Sequence, residues 1–193
     1  VNAKAWDQTV TMLKDRLRPI FQLARQHQVF VNIDMEQYDH KELTLQVFGE
    51  LICEPDFKDY PHWGIVLQAY LRDSLVDTKK LIEFAKQRGT PFTIRLVKGA
   101  YWDFETIYAQ QRNWDTPVYL NKQESDWNYE NCVQVLLENY PHVRVAVASH
   151  NVRSLAAAMV MAEELGLDKK ALELQMLYGM ADPNNTSATP GVG

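Results

Sequence analysis

Apolar residues recur along the chain at two spacings, and the two spacings alternate. Short apolar runs rich in β-branched residues predict five strands, at 29–35, 64–70, 92–99, 143–150 and 171–179. Between them, apolar positions three and four residues apart predict helices at 41–53, 74–88, about 126–138 and 154–166. Strands separated by helices pair in parallel through right-handed crossovers. The pattern therefore indicates an α/β fold with a parallel sheet.

Local signals refine several boundaries. Gly89 is expected to end the helix at 74–88, and Asn151 or Ser154 could cap the helix that follows the fourth strand. An earlier helix lies in "TVTMLKDRLRPIFQLARQ" (9–26), where Pro19 predicts a kink or a split. The stretch "WDFETIYAQQRNWDTPVYLNKQ" (102–123) is less regular and predicts a long, irregular connection. We expect one domain over 1–183 and a disordered polar tail, rich in Pro and Gly, over 184–193.

The two faces of each predicted strand differ in polarity. In "FTIRLVKG" (92–99), Ile94 and Leu96 share a face opposite Arg95, because successive side chains point to opposite sides of a strand. A doubly wound open sheet covered by helices on both sides would need two apolar faces. One polar face favours instead a (β/α)₈ TIM-like barrel, whose lumen mouth carries the active site. Five βα units are fewer than a full barrel contains, so we expect a partial barrel.

Composition narrows the possible functions. The net charge is −5 and no segment carries a basic stripe, which argues against nucleic acid as a partner. The histidines are scattered without a paired-ligand pattern, so no metal site is expected. The two cysteines lie in unrelated segments, and a reducing cytosol is the default. Neither GxGxxG nor a P-loop is present, so a dinucleotide would have to be held in another way.

Polar side chains gather where the predicted strands end. They are Asp34, Gln68, Arg95, Lys98, Ser149, His150 and Gln175. Each alone could belong to a structural ion pair, but together they predict a site for a planar ligand rich in heteroatoms. Gly99 and Ala100 permit close backbone approach, and the aromatic pair Tyr101 and Trp102 could either pack in the core or flank a ring.

Longer blocks of sequence carry a family resemblance. They are "FVNIDMEQYDHKELTL" (30–45), "GIVLQAYLRDS" (64–74), "RLVKGAYWDFET" (95–106), "SHNVRSLA" (149–156) and "QMLYGMADP" (175–183). In order and content they resemble the proline dehydrogenases, and most closely the proline dehydrogenase domain of proline utilization A, a bacterial bifunctional enzyme. The resemblance implies a (β/α)₈ barrel that binds FAD without a Rossmann loop. It also implies oxidation of L-proline to Δ1-pyrroline-5-carboxylate by hydride transfer to the flavin.

The resemblance assigns roles to individual residues. Asp34 and Arg95 match the family's active-site carboxylate and guanidinium. The positions that contact FAD in the family are matched by Met35, Gln68, Lys98, Gly99, Ala100, Ser149 and His150. Further walls of the flavin and proline pocket are matched by Tyr101, Trp102, Gln175 and, on the substrate side, Leu177.

The resemblance also implies partners and a location. Electrons would pass to a quinone-type acceptor at the membrane, from a cytoplasmic protein peripheral at the inner membrane face. Whether an aldehyde dehydrogenase domain follows in the parent chain stays open. The family's "KLT"-like lysine segment and its paired carboxylate-binding arginines are not found here, so about three strands are expected to be missing.

Two alternatives remain beside this reading. One is another α/β barrel enzyme that binds a phosphorylated substrate, although no phosphate loop is legible. The other is an inactive or incomplete barrel fragment that acts only as a structural or binding module.

Overall fold

A computed structural model describes residues 5–180, and every structural statement below concerns that range. The helices are α1 (Trp6–Gln26), α2 (Lys41–Ile52), α3 (Ser74–Arg88), α4 (Trp102–Arg112), α5 (Lys122–Glu138) and α6 (Val152–Glu164). The strands are β1 (Val31–Ile33), β2 (Trp63–Gln68), β3 (Phe92–Val97), β4 (Val143–Ala148) and β5 (Leu172–Gln175). Short 3₁₀ turns precede α2 and β5, at Tyr38–His40 and Lys169–Ala171.

The strands form one parallel sheet in the order β1-β2-β3-β4-β5, the same as their order in the chain. Each new strand is therefore added on the same side of the previous one. A doubly wound open sheet would instead reverse its direction at a switch point. Continuous winding in one direction is the arrangement of a (β/α) barrel, and the five strands form an arc of it. The predicted fold class, a partial barrel of five βα units, is confirmed.

The core lies between this sheet and the helices. Ile65, Ile94 and Val145 are register partners on neighbouring strands, and each is almost completely buried. They pack with helical side chains such as Phe48 and Leu136 in one continuous cluster. Burying these apolar surfaces is the main force that holds helices to one face of the sheet. The other face of the sheet is left to form the site.

The ends of α3 and α6 agree with the sequence prediction, whereas α1 differs from it. Gly89 ends α3 in the left-handed conformation, with φ of 74°, and the Asn151 side chain caps α6 by accepting a hydrogen bond from the Ser154 amide, as predicted. Of the kink or split of the first helix predicted at Pro19, the split is wrong, because α1 is continuous from Trp6 to Gln26. Its prolyl ring lies on the exposed side, and α1 is held by Phe21 and Ala24 on its buried side.

The connection after β3 is more regular than predicted. It contains a helix, α4, and α5 begins at Lys122 rather than at about residue 126. The strands β1 and β5 are also shorter than their apolar runs. The predicted domain boundary at 183 and the predicted tail lie outside the described residues. None of the helices within 5–180 combines the length and apolar character that a membrane crossing requires.

Candidate functional site

A cavity of about 1020 Å³ lies at the carboxyl ends of the strands, on the face of the sheet that the helices do not cover. Val66, Gln68, Arg95 and Val97 line it from β2 and β3, whereas Ile65 and Ile94 point away into the core. The strict alternation of side chains along each strand produces this division. All seven of the polar strand-end residues singled out above line this cavity.

Arg95 and Asp34 form an ion pair at the edge of the cavity. The Arg95 Nη1 donates to Asp34 Oδ1 at 2.8 Å, and Asn32 Nδ2 lies 3.4 Å from the same oxygen. The Asp34 side chain is 73% exposed, but Arg95 is more enclosed at 28%. The Arg95 Nε is buried and has no hydrogen-bond partner among the described residues. One donor of the guanidinium, on a residue that lines the cavity, is therefore unsatisfied.

Gln68 occupies the end of β2 beside this pair. Its Nε2 lies 3.4 Å from the carbonyl oxygen of Met35, which makes a long hydrogen bond. Its Oε1 is buried, and no partner for that oxygen occurs within the described range. Buried polar atoms nearly always have partners. Gln68 Oε1 and Arg95 Nε are thus an unsatisfied acceptor and an unsatisfied donor on two residues that line the same cavity.

The other side of the cavity is basic. Lys98 and Lys122 both line it, and both hydrogen-bond to Asp126, Lys98 through Oδ1 and Lys122 through Oδ2 at 2.6 Å. Burial raises the pKa of Asp126, but the hydrogen bonds from the two lysines outweigh burial and hold that pKa below its ordinary value. One carboxylate shared by two ammonium groups leaves a net positive charge at this end.

The helix α5 supports these groups from behind. The Tyr129 hydroxyl lies 3.2 Å from the Leu96 carbonyl oxygen and 3.4 Å from that of Ala148, so it connects the ends of β3 and β4. The Lys98 ammonium lies 5.5 Å from the centre of the same tyrosine ring. Burial raises the pKa of Tyr129 and keeps it neutral. The ring and the carboxylate of Asp126 therefore fix Lys98 in place.

Gly99 follows Lys98 in a conformation that suits glycine. Its φ is 126°, and a Cβ there would lie 2.4 Å from atoms of the Tyr70 ring. The Tyr70 amide donates to the Lys98 carbonyl at 2.7 Å, which brings the two turns together. No side chain fits between them, so the backbone of Gly99 and Ala100 comes to the wall of the cavity.

The ends of β4 and β5 complete the wall. Ser149 Oγ accepts a hydrogen bond from the Asn151 amide at 3.1 Å, and His150 Nε2 accepts one from the Leu177 amide at 3.1 Å. Gln175 Nε2 donates to Glu173 at 2.7 Å. The bond between His150 and Leu177 ties the segment after β5 to the segment after β4.

Twelve of the thirteen predicted site residues lie around this one cavity: Asp34, Met35, Gln68, Arg95, Lys98, Gly99, Ala100, Tyr101, Ser149, His150, Gln175 and Leu177. Trp102 does not line it. Its indole nitrogen donates to the Tyr119 carbonyl at 2.8 Å at the start of α4, and the side chain is about two-fifths exposed. Its contact with a cofactor stays a prediction.

Sequence reasoning missed other residues of the site. Lys122 and Asn151 line the cavity, and Asp126 pairs with both lysines. Lys122 and Asp126 are four residues apart, which is the spacing of an ion pair on one helix face. That signal was available in the sequence, but it required the helix to start before residue 126.

The parallel arc with a polar cavity at the carboxyl ends of its strands defines a β/α-barrel protein with an enzyme-type ligand site. Comparison with known proteins identifies the kind. A family model described as proline dehydrogenase matches residues 1–189, and the chain belongs to the proline dehydrogenase family.

Individual relatives agree with that assignment. The chain is 34% identical to the bifunctional protein PutA of Escherichia coli over 179 residues, which are 92% of this chain and 14% of that protein. It is 31% identical over 181 residues to proline dehydrogenase 2 of Bacillus subtilis, which are 94% of this chain and 52% of that protein. The chain thus spans about half, or much less, of the relatives it matches.

A solved structure is also similar. It is proline utilization A from Bdellovibrio bacteriovorus inactivated by N-propargylglycine, with a TM-score of 0.92 and 64% sequence identity. The match covers 93% of this chain and 19% of that one.

Proposed function

We propose that the cavity binds FAD and that this chain serves the oxidation of L-proline to Δ1-pyrroline-5-carboxylate. Membership of the proline dehydrogenase family supports the substrate. The observation that carries the cofactor is the pair of buried, unpartnered atoms, Arg95 Nε and Gln68 Oε1, which among the described residues have no other use. A flavin ring offers both acceptors and an N–H donor along one edge.

The rest of the cavity also fits FAD. Its volume of about 1020 Å³ is at the upper end of ordinary ligand sites, as a dinucleotide requires. Lys98 and Lys122, with their shared carboxylate, provide positive charge for a diphosphate. The exposed backbone at Gly99 and Ala100 allows a planar group to approach closely.

In the proposed reaction, bound FAD supplies the acceptor for a hydride from the proline ring. Arg95 would hold the flavin through its unsatisfied donor and would stabilise negative charge that develops on it, because the guanidinium is already held in place in a partly enclosed site. Asp34 holds the guanidinium through its 2.8 Å hydrogen bond. Leu177 and Tyr101, which line the same cavity, are proposed walls of the substrate pocket and exclude water from it.

The relatives suggest the wider context. We propose L-proline as substrate and a quinone-type acceptor at the membrane, with the protein cytoplasmic and peripheral at the inner membrane face. Four of the matched proteins are named bifunctional, which supports a fused aldehyde dehydrogenase domain in the parent protein. The Bdellovibrio relative was inactivated by N-propargylglycine, an amino acid whose amine and carboxylate resemble those of proline.

A non-catalytic role is the second candidate. Within residues 5–180, β1 pairs only with β2 and β5 only with β4, so both outer edges of the sheet are open. Open edges favour pairing with further strands. On this alternative the chain would be a structural or binding module that retains the cavity without turnover.

The visible absorption spectrum distinguishes these functions. The purified chain is incubated with FAD and desalted, and proline is then added under anaerobic conditions. Retained flavin absorption that proline bleaches supports the enzyme, and retention without bleaching supports the binding module. Arg95→Met and Lys98→Met should lose flavin, whereas Lys86→Met, an exposed position on α3, should retain it. Equal retention by all variants would contradict the assignment of the cavity.

A further inference from the structure

The segment 34–37 carries Asp34 and Met35 to the cavity, yet its contacts on the cavity side are weak. Asp34 is mostly exposed and makes its ion pair in solvent. The bond from Gln68 to the Met35 carbonyl is long, at 3.4 Å. Both cavity partners are also the groups that a ligand would engage. The proposed ligand uses Arg95 Nε and Gln68 Oε1, so both contacts to the segment can persist. Because they are weak, the place of the segment depends on what holds it from behind.

Buried contacts hold the segment from behind. The Tyr38 amide donates to Glu105 Oε1 at 2.8 Å, and the Tyr38 hydroxyl donates to Asp73 Oδ2 at 3.1 Å. Glu105, on α4, is 3% exposed. It lies 67 residues from Tyr38 in the sequence, so this bond joins two distant βα units.

Lys41 completes the same arrangement. Its ammonium donates to Asp73 and, at 2.5 Å, to Asp77, and it lies 5.3 Å from the centre of the Tyr38 ring. Lys41 and Asp77 are both almost completely buried. Burial tends to lower the pKa of Lys41, but the hydrogen bonds to the two aspartates outweigh it and raise that pKa above the ordinary value.

This cluster is an internal ion-pair network. The carboxylates of Glu42, Asp73 and Asp77 come within 4.8 Å of one another. The ammonium of Lys41 contacts all three of them and offsets one of their three negative charges, and Lys80 also pairs with Asp77. Removing one partner of such a buried pair leaves an uncompensated charge, so loss of Lys41 or of Asp77 alone would be strongly destabilising.

The network also reaches the second loop of the cavity. Tyr38 packs on a small buried cluster formed by Tyr70, Leu71 and Val118. The Tyr70 ring fills the space beside Gly99. Packing therefore connects the segment that bears Asp34 with the turn that follows Lys98.

We propose that Tyr38, Lys41 and Glu105 are positioning residues, whose buried contacts set the place of Asp34 and Met35 in the cavity. The expected effect of these residues on cofactor binding rests on the proposed function. Their effect on the position of the segment does not. The hydrogen bond from the Tyr38 amide to the Glu105 carboxylate is the contact to test, because the exchange of a single amide proton measures it.

Amide hydrogen exchange tests the structural part without any cofactor. Glu105→Met removes the acceptor, while Glu105→Gln keeps an oxygen that can accept from the Tyr38 amide. The Tyr38 amide should exchange about tenfold faster in Glu105→Met and close to the wild-type rate in Glu105→Gln. The amide of Ile94 in β3 should be unchanged in both and shows that the fold is intact. Equal Tyr38 exchange in all three proteins would overturn the proposal.

Flavin titration then tests the consequence. Tyr38→Phe, which keeps the ring packing and removes only the hydroxyl, and Glu105→Met should each weaken FAD binding about fivefold. Glu105→Gln should restore it. If wild type retains no FAD, the proposed function fails and the exchange result alone decides the positioning. If the exchange increases but FAD affinity is unchanged, positioning by this network is overturned for the cofactor site.

Discussion

Arg95 and Asp34 join two strands that are not neighbours. Their 2.8 Å hydrogen bond links the end of β3 to the segment after β1, and β2 lies between these strands in the sheet. The bond thus spans β2, on which Val66 is the register partner of Arg95. Its place suggests that it orients the guanidinium, because an ion pair with one partner so exposed adds little to stability.

Asp34→Asn separates orientation from stability. The free energy of unfolding should change by less than about 1 kcal/mol, because the lost pair is largely solvated. Flavin retention should fall clearly, because the amide holds Arg95 less tightly than the carboxylate did. Urea denaturation and the absorption spectrum of the desalted protein measure the two effects. A large loss of stability with full flavin retention would show that the pair is structural.

Gly99→Ala should be strongly destabilising. The new Cβ would meet the Tyr70 ring at 2.4 Å, and φ of 126° is unfavourable for any side chain. We expect a loss of about 2 kcal/mol or more, together with loss of flavin. Gly49→Ala in α2 is the matched control, since its Cβ would make an ordinary contact with Phe84 at 3.7 Å. Thermal unfolding of both variants decides, and a Gly99 variant as stable as the Gly49 variant would contradict the close packing.

Much of the fold follows from local pattern. The alternation in β2 and β3 places Gln68 and Arg95 on one face and Ile65 and Ile94 on the other, and the structure has this division. Parallel strands in chain order then bring the polar ends together. Because this inference needs only the positions and the common direction of the strands, the cavity residues could be predicted from the sequence without knowledge of any tertiary contact.

The rest depends on packing between distant segments. The helix α4 has weak apolar periodicity, with Phe104 and Ile107 exposed, so its sequence resembles a loop. Glu105 is buried only because it meets the Tyr38 amide from another βα unit. No local sequence pattern predicts a hydrogen bond between residues so far apart in the chain. Trp102 resembles a ring-stacking residue in sequence, yet its indole is used to hold the Tyr119 carbonyl.

Arg88→Met should be among the most destabilising substitutions at a charged residue. The guanidinium donates to the carbonyl oxygens of Ile52 at 3.2 Å, Thr90 at 2.7 Å, and Phe57 and Tyr60 at 3.0 Å each. The guanidinium thereby supplies hydrogen-bond donors to carbonyl oxygens at the end of α2 and in the loop before β2. Losing these bonds leaves several carbonyls without partners, and we expect a cost of about 3 kcal/mol.

Urea denaturation of Arg88→Met beside Lys86→Met measures that cost. Lys86 lies two residues away on α3 and pairs only with Glu83 on the surface among the described residues, so its loss should be worth less than about 0.5 kcal/mol. Similar midpoints for the two variants would show that water replaces the guanidinium.

Glu105→Gln should change how stability depends on pH. Burial raises the pKa of Glu105 above its ordinary value of 4.5, although the hydrogen bond from the Tyr38 amide partly opposes this. The folded chain therefore keeps the proton to higher pH than the unfolded chain does. Between the two pKa values the folded state binds more protons, so the free energy of unfolding falls as pH rises through that window. A glutamine at position 105 does not ionise, so the variant should not show this fall in the free energy of unfolding.

The free energy of unfolding of Glu105→Gln minus that of wild type should therefore increase from about pH 4.5 upward and level off once the folded carboxyl has ionised. Urea denaturation from about pH 4.5 to about pH 8 measures this difference. Glu83→Gln, on the exposed surface of α3, gives the effect of removing a surface carboxylate at each pH. A difference between Glu105→Gln and wild type that stays constant or decreases with pH would mean that Glu105 ionises at least as readily in the folded chain as in the unfolded one.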